Sequence, residues 1–480
     1  MDGVACGGLP AAGRPSRVPA AAASPDRADL QLAGGLALLT LGSRVPLWGE
    51  YVFNWDAANF ALAVLHFDVR EHRPHPPGYF YYVVLGRLTN LVLDDPNRSL
   101  TLASTLLSAG TVAAVYLLGR CVYRDRTVGV GAAVFLLTSV TFWAYGLVAL
   151  AYPALALFGT LVGLAALTGR SILAAAALGI GSGFRPDLVL LAGPLWLWSM
   201  RQDPWGRRLA SAVLLGLLGL GWFLPTAFLS GGIPDYLQTM RVYLDQDVWQ
   251  RYAPGARGLA ALGVNLRDTA AYVFYGLYLT AIPVALGLLR LGREALSGRL
   301  DPDQAVWFAL WVGPPLAFYT LVHIGDPGYI FSFLPALSLV AAWGLRGGRR
   351  LFWAGLVAVA LLNCGVFFFH PRVLTYPGLV AADASLRDRL EALDRFPAES
   401  TLVVAAESFR AVQFYRPAYA AVWVDRRRGE DTAVSVPAGI QQVVIFDPTL
   451  TVPDGRVVYG PTAGVVVIGA RPGQVLVVRP

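Results

Sequence analysis

The sequence contains no lysine and few charged residues of any kind. All 38 basic residues among the 480 are arginines, charged residues make up 14% of the chain, and hydrophobic residues make up 56%. Soluble domains carry roughly 25% charged residues. The shortage of charge excludes an ordinary soluble enzyme and, with a mean hydropathy of +0.54, indicates a protein that lies in a lipid bilayer.

Cysteine is scarce as well. Cys6, Cys121 and Cys364 fall in a terminal tail, a loop and a hydrophobic segment, so no pair is placed to build a disulfide framework. We therefore expect no redox role. The net charge of +7 is expected to mark cytoplasmic loops, as in other membrane proteins, and we expect no nucleic-acid partner.

About eleven hydrophobic segments occupy the chain between residues 30 and 370. Most approach the roughly 20 residues that a helix needs to cross the hydrocarbon core, although the fifth and sixth are short. They predict an α-helical polytopic membrane domain over residues 30–370. The segments lie at 30–47, 99–119, 127–145, 147–168, 171–184, 188–200, 209–229, 270–290, 305–322, 328–345 and 350–369.

Arginine-rich loops alternate with loops that carry other polar residues. If residues 1–29 are inside, the clusters at 120–126, 201–208, 290–299 and 346–350 all fall in cytoplasmic loops, as the positive-inside rule requires. Residues 1–29 lack a signal-peptide core and are predicted to form a disordered cytoplasmic tail. The abundance of Ala, Gly and Arg favours a prokaryotic plasma membrane.

The composition changes after the last hydrophobic segment. A helical pattern at 382–396 precedes five short β-rich runs, which predict a small α/β domain over residues 371–480. An odd number of spans places this domain on the extracytoplasmic side. The runs lie at 401–404, 421–424, 442–446, 464–468 and 475–478.

The first outer loop, residues 48–98, contains the sharpest cluster of chemically active residues. Asp56 stands between aromatic and small residues, where partial burial would raise its pKa and suit it to deprotonating an alcohol. The alternative is that Asp56 only caps a short interfacial helix. The aromatic segment 79–85 also predicts a helix at the membrane interface.

Two histidines in this loop leave several interpretations open. His72 and His75, with Asp68 or Glu71, could bind a divalent metal, although their spacing matches no strong metal signature. Otherwise the histidines form local hydrogen bonds or contact a phosphate.

Other outer segments supply further candidates. Arg185 is the preferred phosphate ligand, because an arginine beside short spans usually lines a polar pocket. It could instead pair with Asp187 or extend to the interface. In the Gly-Asp-Pro-Gly turn beginning at Gly325, turn geometry explains the glycines and proline, so only His323 stays a candidate. The aromatic loop 230–269 is interpreted as shaping acceptor access, or as part of an interfacial belt.

The combination of these features resembles the membrane glycosyltransferases of the GT-C superfamily, which are related to protein O-mannosyltransferases and lipid A aminoarabinose transferases. The resemblance rests on Asp56 after the first span, the segment His75-Pro76-Pro77-Gly78-Tyr79 and Arg185, and it covers about residues 30–345. It implies transfer of a sugar, with inversion, from a polyprenyl-phosphate carrier to a lipid, glycan or protein acceptor on the outer face.

Asp56 takes the family's catalytic acidic position, and His75, Pro76 and Pro77 take its His-Pro-Pro segment. The chain departs from the family where many relatives have a second carboxylate, because the segment 145–153 offers only tyrosines, leaving Asp68 and Glu71 as substitutes. The expected site has Asp56 as the catalytic base and Arg185 and His75 as donor-phosphate contacts. The expected substrate contacts are Glu71, His72, Tyr79, Tyr152 and His323.

Two other function classes stay open. A multispan transporter or lipid flippase would share the hydropathy and the arginine layout, but it should place charges in mid-span pathways. Arg44 and Arg87 are the few charges of that kind. A receptor-like scaffold that uses the outer C-terminal domain is the second alternative.

Overall fold

The computed structural model of the protein describes residues 25–453, 457–462 and 464–480. The predicted tail lies largely outside these residues, but α1 already begins at Arg27, before the predicted boundary at residue 29. Up to residue 369, the described chain consists of helices joined mostly by short turns. These are α1 (Arg27–Arg44), α2 (Trp55–Leu65), α3 (Phe80–Leu93), α4 (Pro96–Tyr123), α5 (Arg126–Leu137), α6 (Val140–Tyr145), α7 (Tyr152–Leu167), α8 (Ser171–Phe184), α9 (Leu188–Ser199), α10 (Trp205–Leu229), α11 (Ile233–Tyr243), α12 (Gln250–Tyr252), α13 (Pro254–Arg257), α14 (Leu259–Leu277), α15 (Ala281–Leu296), α16 (Pro302–Leu321), α17 (Leu334–Gly344) and α18 (Arg349–Phe369).

Every predicted hydrophobic segment overlaps one or more of these helices. The segment predicted at 270–290 is interrupted, because Tyr278 adopts a left-handed conformation with φ of 42° between α14 and α15. Within the described residues, five stretches are long and apolar enough to cross a membrane, so the count of eleven spans stays a prediction. These are Arg27–Leu47, Pro96–Tyr123, Trp205–Leu229, Leu259–Leu296 and Arg349–Phe369.

The long helix α4 lies at the centre of the helical domain and packs against α1, α5 and α7. Glycines allow its close approach to α5. A Cβ atom on Gly129 would lie 2.9 Å from the carbonyl oxygen of Tyr116. Small residues at such crossings let helix backbones pack closely in a membrane, where water does not drive association.

The C-terminal part forms a small α/β domain, as predicted. Its main sheet has the strand order β2-β1-β4-β6-β5, in which β1 is parallel to β2 and β4, whereas β6 is antiparallel to β4 and β5. Strands β3 and β7 form a separate antiparallel pair. The elements are α19 (Tyr376–Leu393), β1 (Thr401–Ala405), α20 (Phe409–Tyr415), β2 (Ala420–Trp423), β3 (Thr432–Ser435), β4 (Gln442–Ile445), β5 (Val457–Thr462), β6 (Val465–Gly469) and β7 (Val475–Val478).

This domain packs directly on the start of α2. The indole of Trp55 stacks on Phe409 of α20 at 6.2 Å between ring centroids, and it lies 5.4 Å from Trp423. The backbone N–H of Val52 donates to the Tyr415 hydroxyl at 2.9 Å. Helix α2 is therefore held between the helical domain and the C-terminal domain.

Candidate active site

Asp56 lies in the first turn of α2, but it does not cap the helix. The side chain of Asn54 is the cap and accepts from the backbone N–H of Ala57 at 3.0 Å. This leaves the Asp56 carboxylate available, at a helix end where the backbone dipole favours negative charge. The side chain is 38% exposed and faces His75. The capping alternative for Asp56 is therefore wrong.

His75 lies beside this carboxylate in a buried aromatic setting. Its Nδ1 atom is 3.6 Å from Oδ1 of Asp56 and has no hydrogen-bond partner among the described residues. The ring packs against Tyr79 at 4.8 Å and Phe60 at 5.1 Å. Burial lowers the pKa of His75, and the nearby charge of Arg185 acts in the same direction while Asp56 opposes both. The imidazole is thus neutral at neutral pH.

The loop that presents His75 is fixed by an internal ion pair. The buried carboxylate of Asp68 accepts from Arg70 at 2.7 Å, and Arg70 also reaches Asp235 at 3.2 Å. The backbone of Asp68 additionally pairs with that of Arg73. Asp68 therefore holds the loop together, and the structure does not place it as the second carboxylate that the sequence left open.

A guanidinium in a cage of tyrosines lies close to the pair of Asp56 and His75. Arg185 is 3% exposed, and its charge centre lies 4.5 Å from the ring centroid of Tyr152, 5.0 Å from that of Tyr329 and 5.2 Å from that of Tyr79. Such cation–π contacts favour a buried cation. Because Tyr79 also packs on His75, one ring connects the arginine to the Asp56 pair.

Arg185 also forms the ion pair with Asp187 that the sequence allowed. Nε and Nη2 donate to the two carboxylate oxygens at 3.1 and 2.9 Å. Within the described residues, Nη1 has no hydrogen-bond partner. Arg185 therefore keeps both its ion pair with Asp187 and its tyrosine cage. The Nη1 edge of its planar guanidinium is left for an anionic ligand.

The segment after α16 closes the other side of the cage. His323 Nε2 lies 3.0 Å from the hydroxyl of Tyr329, and its ring packs edge-on against Tyr252 at 4.3 Å. Burial, together with the charge of Arg185, lowers the pKa of His323 to about 4. His323 is thus a neutral residue that orients Tyr329. Tyr329 was not among the site residues predicted from the sequence.

Asp326 was also missed. Its buried carboxylate accepts hydrogen bonds from the hydroxyl of Tyr145 and from the N–H of Gly328, the latter at 2.8 Å. Burial raises the pKa of Asp326 to about 6, and the negative charge of Asp56 contributes to the rise. The turn interpretation explained only the backbone contact. A carboxylate next to an apolar segment was the available signal, because such groups are costly in a membrane.

Two of the predicted substrate contacts lie at the rim. His72 has its pKa lowered to about 4 by burial and by the charges of His75 and Arg410. The Glu71 side chain is 54% exposed and lies 3.5 Å from the guanidinium of Arg73. A chain of contacts thus connects Asp56, His75, Tyr79, Arg185, Tyr152 and, through Tyr329, His323 into one cluster, with His72 and Glu71 at its rim.

The metal site that the sequence allowed around His72 and His75 has no set of ligands among the described residues. Across residues 25–453, 457–462 and 464–480, no group of three or more His, Cys, Asp or Glu side chains is placed to hold a metal ion. Asp68, one of the proposed ligands, is already bonded to Arg70.

No protein-family model matches the sequence, and no curated protein matches it significantly. Two solved structures are similar over most of their length. ArnT from Cupriavidus metallidurans in the apo state has a TM-score of 0.56 at 16% identity, and the match covers 92% of this chain and 97% of that chain. The same ArnT bound to undecaprenyl phosphate has a TM-score of 0.54 at 15% identity, with the same coverage.

The chain has the fold of ArnT. This likeness confirms the predicted architecture of a helical domain followed by a small C-terminal α/β domain. The five long apolar stretches of the described chain are those expected of an integral membrane protein. At this level of identity, what is shared with ArnT is the fold.

Proposed function

We propose that the protein transfers a sugar from a polyprenyl-phosphate-linked donor to a hydroxyl of an acceptor on the extracytoplasmic face. The observation that carries this proposal is the position of Tyr79, which packs on both His75 and the guanidinium of Arg185. The proposed base and the proposed phosphate-binding cation therefore belong to one cluster of contacts. The similar ArnT structure with bound undecaprenyl phosphate supports a lipid-phosphate donor.

The donor phosphate is assigned to Arg185. The arginine is preorganised by Asp187 and three tyrosine rings, so it does not need to reorganise as charge develops on the leaving phosphate. His75 supplies a neutral polar group to the same phosphate, and Tyr152 lines the cage with its ring. His323 acts through Tyr329, whose hydroxyl it orients.

Asp56 is assigned as the general base. It takes the proton of the acceptor hydroxyl while that oxygen attacks the anomeric carbon from the face opposite the phosphate. The bond between the anomeric carbon and the phosphate oxygen breaks, and its electron pair leaves with the polyprenyl phosphate. A single displacement of this kind inverts the anomeric centre. The partial exposure of Asp56 suits this role, because the acceptor must reach the carboxylate.

The proposed orientation places the N-terminus in the cytoplasm and the C-terminal domain outside. The arginine clusters of alternate loops support this arrangement. The bacterial source of the similar structures supports a prokaryotic plasma membrane. Glu71 and His72 at the rim are proposed to contact the acceptor rather than the phosphate.

The test is transfer of radiolabelled sugar from a polyprenyl-phosphate-sugar pool in membranes that contain equal amounts of wild type, Asp56→Asn or Asp94→Asn. Asp94 is an exposed aspartate of the same outer segment and serves as the matched control. We expect wild type and Asp94→Asn to transfer label and Asp56→Asn to lose at least 100-fold. Equal transfer by Asp56→Asn would remove Asp56 from catalysis. No transfer by any membrane with acceptor supplied would favour the transporter.

A further inference from the structure

The C-terminal domain brings a guanidinium close to Asp56. Arg410 of α20 has its charge centre 5.5 Å from the ring centroid of Trp55, the residue that immediately precedes Asp56, and 5.8 Å from that of Phe409. Its Nη1 donates to the neutral side chain of Gln413 at 2.9 Å. Its Nε is buried and has no hydrogen-bond partner among the described residues.

Arg73 of the first outer loop lies close to Arg410. Burial lowers the pKa of Arg410 to about 10, and the positive charge of Arg73 acts in the same direction. In the part of the chain that the structure describes, Nε of Arg73 is likewise buried without a partner. The nearby carboxylate is the exposed Glu71, 3.5 Å from Arg73. The guanidinium groups of Arg410 and Arg73 thus have a single exposed carboxylate, that of Glu71, as their nearby counterion among the described residues.

Three other arginines of the same domain are compensated by carboxylates. Arg427 pairs with Asp247 of the outer segment at 3.2 Å, and Arg426 pairs with Glu407 at 2.8 Å. Arg389 reaches the buried Asp447 at 2.8 Å. Arg410 has no carboxylate within ion-pair distance among the described residues, although it is packed against the helix that carries Asp56. An uncompensated, partly buried arginine at this place is suited to an anion that arrives from outside.

We propose that Arg410 and Arg73 bind an anionic group of the acceptor, a phosphate or a carboxylate. The C-terminal domain then selects acidic acceptors and places a neighbouring hydroxyl at Asp56. This inference rests on the proposed function and assigns the acceptor class, while Arg185 keeps the donor phosphate. Two separate anion sites would therefore flank the base.

The experiment uses the full-length protein in nanodiscs with a radiolabelled polyprenyl-phosphate sugar. A bacterial lipid and glycan extract is separated by anion exchange into neutral and acidic fractions, and each fraction is supplied as acceptor. The variants are Arg410→Gln, Arg410→Lys, Arg73→Gln and, as control, Arg387→Gln. Arg387 is an exposed arginine of α19 that pairs with Asp388 at 2.9 Å. Thermal unfolding checks that each variant is folded.

We expect label to enter the acidic fraction and not the neutral one. Arg410→Gln should raise the half-saturating amount of the acidic fraction at least 10-fold while changing that of the donor less than twofold. Arg73→Gln should act in the same direction, and Arg410→Lys should lie between wild type and Arg410→Gln, because it keeps the charge. A merely structural role would lower turnover without this separation between acceptor and donor.

Label in the neutral fraction would overturn the inference while leaving the proposed function intact. The same conclusion would follow if Arg410→Gln and Arg73→Gln had the same half-saturating amount of the acidic fraction as Arg387→Gln. Failure of the proposed function looks different, because wild type would then transfer label to neither fraction. That result would overturn the inference as well.

Discussion

His75 and Asp56 form a close pair in which the Nδ1 atom of the imidazole lies 3.6 Å from the carboxylate and has no hydrogen-bond partner among the described residues. The two residues are 19 positions apart, and the ordered loop held by Asp68 and Arg70 brings them together. A neutral imidazole at this position can orient the carboxylate without cancelling its charge. The pair therefore keeps Asp56 ready to accept a proton.

The first prediction concerns the pH dependence of this pair. Because burial lowers the pKa of His75 below the ordinary value of 6.5, the ring is protonated at a lower pH than an ordinary imidazole. Any acid limb of the transfer rate that depends on His75 should therefore lie below pH 6.5. The measurement is the rate of label transfer from pH 5 to pH 8 for wild type and His75→Gln. A limb at or above pH 6.5 that disappears in the variant would contradict the assignment.

Arg185 provides the second prediction, on binding. Loss of a charge-assisted contact costs about 1.5–3 kcal/mol, so Arg185→Gln should weaken binding of undecaprenyl phosphate roughly 10- to 100-fold. Binding of neutral undecaprenol should hardly change. Binding is measured on purified protein in nanodiscs.

Arg201→Gln is the matched control for Arg185→Gln, since Arg201 also lies over an aromatic ring, that of Trp198 at 3.5 Å, and reaches an aspartate, Asp303, at 3.3 Å. The double variant Arg185→Gln/Asp187→Asn removes the carboxylate that the single variant leaves unpaired. Equal weakening by Arg201→Gln, or recovery of binding in the double variant, would argue against a direct phosphate contact.

Asp326 provides the third prediction, on stability. Its pKa is raised from 3.8 to about 6 in the folded protein, so the fold favours the protonated carboxyl. Below about pH 4, Asp326 is protonated in both the folded and the unfolded wild type and costs no stability. As the pH rises from about 4 to about 6, the free energy of unfolding of the wild type falls by roughly 3 kcal/mol in total. Asp326→Asn has no such titration. The thermal midpoint of the variant relative to wild type should therefore rise between pH 4 and pH 6 and stay constant above.

Midpoints of wild type, Asp326→Asn and the exposed control Asp94→Asn would be compared in detergent at each pH. A difference between wild type and Asp326→Asn that is flat, or that falls with pH, would contradict the raised pKa. The control should show no comparable trend.

Much of the architecture was predictable because membrane insertion constrains the sequence locally. Apolar segments locate helices directly, and the pairing of Asp56 with His75 was predictable because both lie in one outer loop. The break at Tyr278 was not predictable, since nothing in the apolar segment 270–290 marks a left-handed residue. Strand β5 was missed because it contains Gly460 and Pro461, which ordinarily argue against a strand.

Parts of the site were missed where a local explanation seemed sufficient. Asp326 caps its own turn through Gly328, and this contact hides its second bond to Tyr145, which lies 181 residues away in sequence. Arg410 belongs to the C-terminal domain, which the sequence pattern separates from the membrane domain. The packing of Trp55 on Phe409 is what shows that Arg410 lies near Asp56. Long-range contacts of this kind leave no periodic pattern in a single sequence.

The most direct test of the account is the fate of the donor when purified wild type is given a polyprenyl-phosphate sugar of known anomeric configuration and an acceptor. We expect one molecule of polyprenyl phosphate for each sugar transferred, with a product of the opposite anomeric configuration by NMR. Donor that stays intact, or a product that retains the donor configuration, would contradict a single displacement with Asp56 as the base.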